Sequence, residues 1–343
     1  MTLHPNGPAA RTPSGGARRL AAAAATALAA VLALSAAHPP LAPPAAARVD
    51  PPLRVAAAIS VRDALTDIAR DFERSTGSGV TLSFGSTGQL LAQIREGAPL
   101  DLFISAAHEQ VDALEREGLV APDTRRVVAR NQLVLITPRD RDDRRDPARE
   151  QHELDAGAAF PSDAASPSDA HPGRPAHVRG FAELARPIVQ RVAIGDPRTV
   201  PAGAYAQQVF ECLHLKQPLV RRVVYGANVR QVLDYVARGE VSAGVVYATD
   251  ARAALGRVRV VAIADDAWHA PIEYPAVTLA ASRRKEIAAR FTAFLTGPRG
   301  AAGFMRHGFA TPGASTTQPG ELRSAAPRGS NDHRTASPHE PRP

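Results

Sequence analysis

Cysteine occurs once in 343 residues, at Cys212, and tryptophan once. A single thiol excludes an intramolecular disulfide and any cysteine-based metal centre. Cys212 reads instead as a small buried residue on a helix face. Catalytic signatures are missing too. There is no G-x-x-x-x-G-K-[ST], no G-x-G-x-x-G after a strand, no G-x-S-x-G and no H-E-x-x-H. His108 opens a predicted helix, His214 lies in a polar helix end and His269 follows Trp268, none with a Ser or Cys partner in view. His152, His171 and His177 stand 19 and 6 residues apart, which fits no compact ligand template. The five tyrosines are dispersed, unlike the Tyr- and acid-rich cluster a ferric ion needs. Nothing supplies the nucleophile, base or metal cluster of an enzyme.

Acids are absent from the first 47 residues, which hold three Arg; without them the net charge falls from +7 to +4. Basic residues are scattered and not interleaved with aromatics, so no nucleic-acid face is expected. Arg18 and Arg19 precede the apolar run 20–37, and small residues follow at 45 and 47. That pattern predicts a cleaved export signal over 1–47, with a retained membrane anchor as the rival reading. It does not separate the general from the twin-arginine route.

From Leu53 onward, strand-like and helix-like segments alternate. "LRVAAA" reads as a buried strand. "SVRDALTDIARDFERSTG" places Ala64, Leu65, Ile68, Ala69 and Phe72 on one helical face, with Ser60 as N-cap and Gly77 as stop. "VTLSF", "LDLFISA" and "QLVLITP" follow as strands, separated by helices that start at Thr87 and His108. Repeated βαβ units predict α/β architecture with doubly wound, mostly parallel sheets. Residues 139–177 break the pattern. They are charged, rich in Pro and Ser, and poor in large apolar residues, so a disordered insertion is expected. Strands and helices resume from "RVAIGDP" to "AAGFMRHGF", and 313–343 reads as a disordered tail.

One feature recurs: a small or hydroxyl residue at a helix start just after a strand. Ser60 follows "VAAAI" and Thr87 follows "LSF"; "VPAG" (200–203) and "GANV" (226–229) open two later helices. Such βα turns share the carboxyl edge of a doubly wound sheet, where ligands bind. Each helix start offers free N–H groups and about half a positive charge. Four of them converging would hold an anion without Lys or Arg.

The segments "LSFGSTGQLLAQIREGAPLDLFISA", "VAIGDPRTVPAGAYA" and "NVRQVLDYVARGEVSAGVVYATDA" occur in that order. Over roughly residues 53–310, apart from 139–177, the chain resembles the periplasmic molybdate-binding proteins of ABC importers. The resemblance implies a two-lobe type II periplasmic binding protein, with lobe one at 49–130 plus 276–312 and lobe two at 131–275. The lobes would cross near Asn131 and Tyr274–Pro275. It implies a ligand set of Ser60, Thr87, Ala202, Val229 and Tyr247, by hydroxyl or backbone N–H. These would hold molybdate or tungstate through its oxygens, with no direct metal ligand and no cofactor. Members of that family generally carry Ser where this chain has Thr87, whose added methyl bears on ion preference. Asp196 in "GDP" reads as a turn residue, since a carboxylate would repel a dianion. The implied partner is a membrane permease, and the protein is expected to be a periplasmic monomer. Three other readings stand beside this: a sulfate or other oxyanion binder, an enzyme using His108 or Asp196, and the sensing domain of a regulator.

Overall fold

The computed structural model describes residues 51–139 and 178–312. The expected signal over 1–47, the histidines at 152, 171 and 177, nearly all of the 139–177 insertion, and the tail from 313 lie outside them. Two five-stranded sheets form the framework, ordered β2-β1-β3-β10-β4 and β7-β6-β8-β5-β9.

The first sheet takes β1 (Leu53–Ala58), β2 (Val80–Gly85), β3 (Leu102–Ile104), β4 (Arg126–Arg130) and β10 (Glu273–Thr278). The second takes β5 (Leu133–Pro138), β6 (Val192–Gly195), β7 (Val223–Gly226), β8 (Ala243–Tyr247) and β9 (Val258–Ile263). β1, β2 and β3 pair in parallel, as do β6, β7 and β8. β10 runs antiparallel to β3 and β4, and β5 runs antiparallel to β8 and β9. Each sheet therefore has one reversed strand, and that strand is the first to arrive from the other sheet. β4 was not legible as a strand, because "RVVAR" is short and flanked by charge.

Alternation along the strands covers both sheet faces. Leu53, Val55 and Ala57 point into one cluster with α1 (Arg62–Thr76), which contributes Leu65, Ile68 and Phe72. Ala56, Phe103 and Val277 point the other way, against Leu90 and Ile94 of α2 (Thr87–Arg95) and Val111 and Leu114 of α3 (His108–Arg116). Burying each large side chain contributes roughly 1.5–3 kcal/mol. Phe72 also meets Phe291 of α8 (Lys285–Thr296) edge-on, with centroids 5.0 Å apart. In the second sheet, α4 (Pro201–Cys212) buries Ala206, Val209 and Phe210. The short α5 (Lys216–Leu219) precedes β7, and α6 (Val229–Ala237) buries Val232, Leu233 and Val236. The short α7 (Ala248–Arg252) follows β8. α9 (Pro298–Arg306) closes against α1.

One expectation needs correction. Cys212 is exposed at the end of α4, because the buried face of that helix is already supplied by Val209 and Phe210. The second passage between sheets runs through 264–272, ahead of Tyr274–Pro275. Both residues already lie in β10, so 273–275 pair with the first sheet. Pro275 is tolerated there because the β10–β4 register shifts at that point. The first passage runs from β4 to β5 through 131–132, and Asn131 N donates to Ile272 O at 3.0 Å, tying the two passages side by side. Among the described residues no helix is long and apolar enough to cross a membrane.

Candidate functional site

Six parallel strands end on turns that meet between the two sheets. β1 runs into the Ile59–Val61 turn, which holds Ser60. The Ser60 hydroxyl does not cap α1; that helix starts at Arg62, and Ser60 Oγ shares a 3.0 Å hydrogen bond with Tyr274 Oη. β2 runs into Ser86 and Thr87. Thr87 opens α2, and its Oγ1 accepts from Ala106 N, just past β3, at 3.3 Å. That leaves the Thr87 hydroxyl proton free to donate elsewhere. Ser86 occupies the cap position, makes no capping bond, and its buried Oγ has no partner among the described residues.

The second sheet repeats the arrangement. β6 leads to α4, where Pro201 takes a first-turn position and Ala202 follows. β7 leads to α6, capped by Asn228 Oδ1 accepting from Gln231 N at 3.0 Å. Val229 is the first helical residue. The N–H groups of Ala202 and Val229 fall in first turns, which have no acceptor within the helix. β8 ends at Tyr247, directly before α7.

Contacts between the sheets join these turns. Gly88 N donates to Thr199 O at 2.9 Å, linking the Thr87 turn to the loop before Ala202. Any Cβ on Gly88 would sit 2.6 Å from Thr199 Cα, so only glycine permits this approach. Arg230, next to Val229, donates to Asp63 at 2.8 Å, three residues after Ser60. The Tyr247 ring meets the Tyr274 ring edge-on at 6.0 Å, and Tyr274 holds Ser60. Asn131 Nδ2 donates to Tyr274 Oη at 3.2 Å and to Thr249 Oγ1 at 2.9 Å. Ser60, Thr87, Ala202, Val229 and Tyr247 thus belong to one connected seam, and none is more than 4% exposed. Two clefts, of about 170 and 280 Å³, open along it; Ser60 lines the first, and the other four residues line neither. The seam is closed over them.

Tyr247 is the most distinctive member. Its Oη is buried and has no hydrogen-bond partner among the described residues. Burial pushes its pKa well above the ordinary tyrosine value, helped by Tyr274, Tyr205 and Asp250. The hydroxyl therefore stays protonated and can donate. Burial likewise raises Tyr274. Leaving a buried hydroxyl unpaired costs about 1–3 kcal/mol, which points to a ligand acceptor.

Residues 53–310 match a family described as bacterial extracellular solute-binding protein. The chain belongs to this family. Similar proteins include the molybdate-binding protein ModA of Escherichia coli, 31% identical over 257 residues, 75% of this chain and 88% of that one. ModA of Haemophilus influenzae is 31% identical over 222 residues, 64% and 75% of the two chains. Among solved structures, the Azotobacter vinelandii periplasmic molybdate-binding protein superposes with a TM-score of 0.57 at 25% identity, covering 76% of this chain and 99% of that one. The fold is the two-lobe α/β fold of periplasmic binding proteins.

His108 and Asp196 are both engaged in side-chain hydrogen bonds. His108 Nε2 lies 2.7 Å from Glu273 Oε2, and Nδ1 meets Arg125. Burial opposes ionisation of Glu273, but hydrogen bonds from His108 and Arg130 outweigh it and hold its pKa below the usual range. Asp196 accepts from Arg198 N at 3.1 Å and from its guanidinium at 2.7 Å, as a turn residue does. Among the described residues no His, Cys, Asp and Glu group could hold a metal ion. Sequence reasoning missed Tyr274, Arg230 and Asp250. Ser60 and Tyr274 lie 214 residues apart, a pairing no local pattern reveals.

Proposed function

We propose that this chain captures molybdate, or the chemically equivalent tungstate, between its lobes and presents it unchanged to the membrane permease of an ABC importer. The observation that carries this reading is the donor chemistry of five buried residues at strand ends or the helix starts that follow them. Ser60, Thr87 and Tyr247 offer hydroxyls and Ala202 and Val229 offer N–H groups, with no carboxylate among the five. Molybdate is a dianion at neutral pH and presents only acceptors, so a site of donors suits it. Protonated phosphate also presents a donor, for which this set has no acceptor carboxylate. The relatives named for molybdate binding align along most of their own length.

Hydrogen bonds to a charged group contribute roughly 1.5–3 kcal/mol each. Five of them, less the costs of association, accommodate an affinity tighter than micromolar, about −8 kcal/mol. The protein touches the oxygens and not the metal. A ligand held by both lobes favours the closed state, with the hinge at Asn131 and at 264–272. Delivery to a permease places the protein outside the cytoplasmic membrane, in the periplasm, after loss of 1–47, and a monomer suffices for that role.

Thr87 favours a second reading, because its methyl narrows the site toward a smaller tetrahedral anion such as sulfate. Isothermal titration with molybdate, tungstate, sulfate and phosphate decides between them. Heat with molybdate and tungstate at submicromolar affinity is the expected result. No heat with either metal oxyanion sinks the proposal, and heat with sulfate alone selects the second reading.

A further inference from the structure

Three of the five proposed donors share a neighbour that binds no ligand. Arg230 directly follows Val229. Asp63 lies three residues after Ser60, and Asp250 three residues after Tyr247. The Arg230 guanidinium meets both carboxylates: Nη2 donates to Asp63 Oδ2 at 2.8 Å, and Nε lies 2.8 Å from Asp250 Oδ1. Asp250 belongs to the second lobe and its side chain is fully buried; Asp63 belongs to the first and is 45% exposed. α6 also packs on the Ile59–Val61 turn, so the contact is backed by helix-on-turn packing.

We infer that Arg230 is a positioning residue that clasps the two lobes, fixing the Ser60, Val229 and Tyr247 turns in register for an oxyanion. This deepens the function proposed above and rests on it for the identity of the ligand. A guanidinium already facing two carboxylates is a poor anion ligand, because its charge is neutralised where it stands. Its planar fork reaches two acceptors at once, which a lysine ammonium on one flexible stem does not reproduce. The two halves of the clasp differ. The Asp250 half lies within one lobe and persists on opening. The Asp63 half crosses the seam and is broken by opening, so it biases the lobes toward the closed state with or without ligand. Loss of the crossing half therefore acts on ligand escape and leaves encounter unchanged.

Asp63→Asn is the informative variant, since Asp63 is half-exposed and its loss leaves Arg230 paired with Asp250. Arg230→Gln would strand Asp250 in the interior and risks misfolding. Two readouts apply to the full chain. Without ligand, amide hydrogen exchange at 59–61 and in the first turn of α6 is expected to quicken several-fold in Asp63→Asn, with the melting temperature unchanged. With molybdate in stopped flow, the dissociation rate is expected to rise about 3–10-fold while the association rate stays within about twofold. Asp63→Glu, which keeps the charge, is expected to recover part of both effects. Unchanged exchange at both turns in Asp63→Asn overturns the clasp, and so does an unchanged dissociation rate. If the wild type shows no molybdate signal at all, the ligand assignment fails and the exchange comparison alone decides the clasp.

Discussion

Replacing Tyr247 by Phe separates binding from folding because the two effects have opposite signs. The ring is 2% exposed and packs edge-on against Tyr274. Phenylalanine keeps that packing and deletes only the hydroxyl. In the ligand-free protein the hydroxyl is buried and has no partner among the described residues, so removing it relieves about 1–3 kcal/mol of unmet hydrogen bonding. Tyr247→Phe without ligand is therefore expected to melt at the wild-type temperature or above. In the proposed complex the same hydroxyl donates to the dianion, a bond of roughly 1.5–3 kcal/mol, so molybdate should bind about 10- to 150-fold more weakly. Isothermal titration gives the affinity, and thermal unfolding at the same pH gives the stability. A variant that binds like wild type removes Tyr247 from the site. One that melts several degrees lower without ligand refutes the claim that the hydroxyl has no protein partner.

Three further outcomes follow from specific contacts. Gly88→Ala puts a methyl against Thr199 across the seam, and a clash of about 1–3 kcal/mol should weaken molybdate binding by about tenfold or more; titration checks this, and wild-type affinity would refute the close approach. Burial pushes the Asp250 carboxyl up to about 7, with Arg230 pulling it down and Asp63 pushing it up. The folded protein thus binds more protons than the unfolded chain between about pH 4 and 7, and this group's contribution to stability is full below about pH 4 and lost as pH rises through 7. Denaturant melts should show a steeper fall of stability from pH 5 to 7 in wild type than in Asp250→Asn, and equal slopes would refute the shift. Exposed Cys212 should react with a thiol reagent in the native protein; reaction only after denaturation would contradict its exposure.

Much of this protein follows from local sequence. The period-3.6 pattern of Leu65, Ile68 and Phe72 determines α1, and Gly77, at φ 71°, ends it. The succession of strand and helix determines two wound sheets, because helices on both faces of a parallel sheet are the only short way to join its strands. The small and hydroxyl residues at the strand ends mark the carboxyl edges of the parallel strands for the same reason. Tertiary structure decided what those residues do. Ser60 has the local chemistry of an N-cap, yet its hydroxyl goes to Tyr274, which local rules cannot see. Cys212 has the composition of a core residue, but the phase of α4 turns it outward. Arg230 and Asp250 look like ordinary surface charges, yet in the fold Asp250 is fully buried beside Arg230, whose guanidinium also reaches Asp63, 167 residues away in sequence. Periodicity and turn chemistry act over a few residues and are written in order along the chain. Pairing across two sheets depends on which turns the fold brings together, and that is settled only when both sheets are packed.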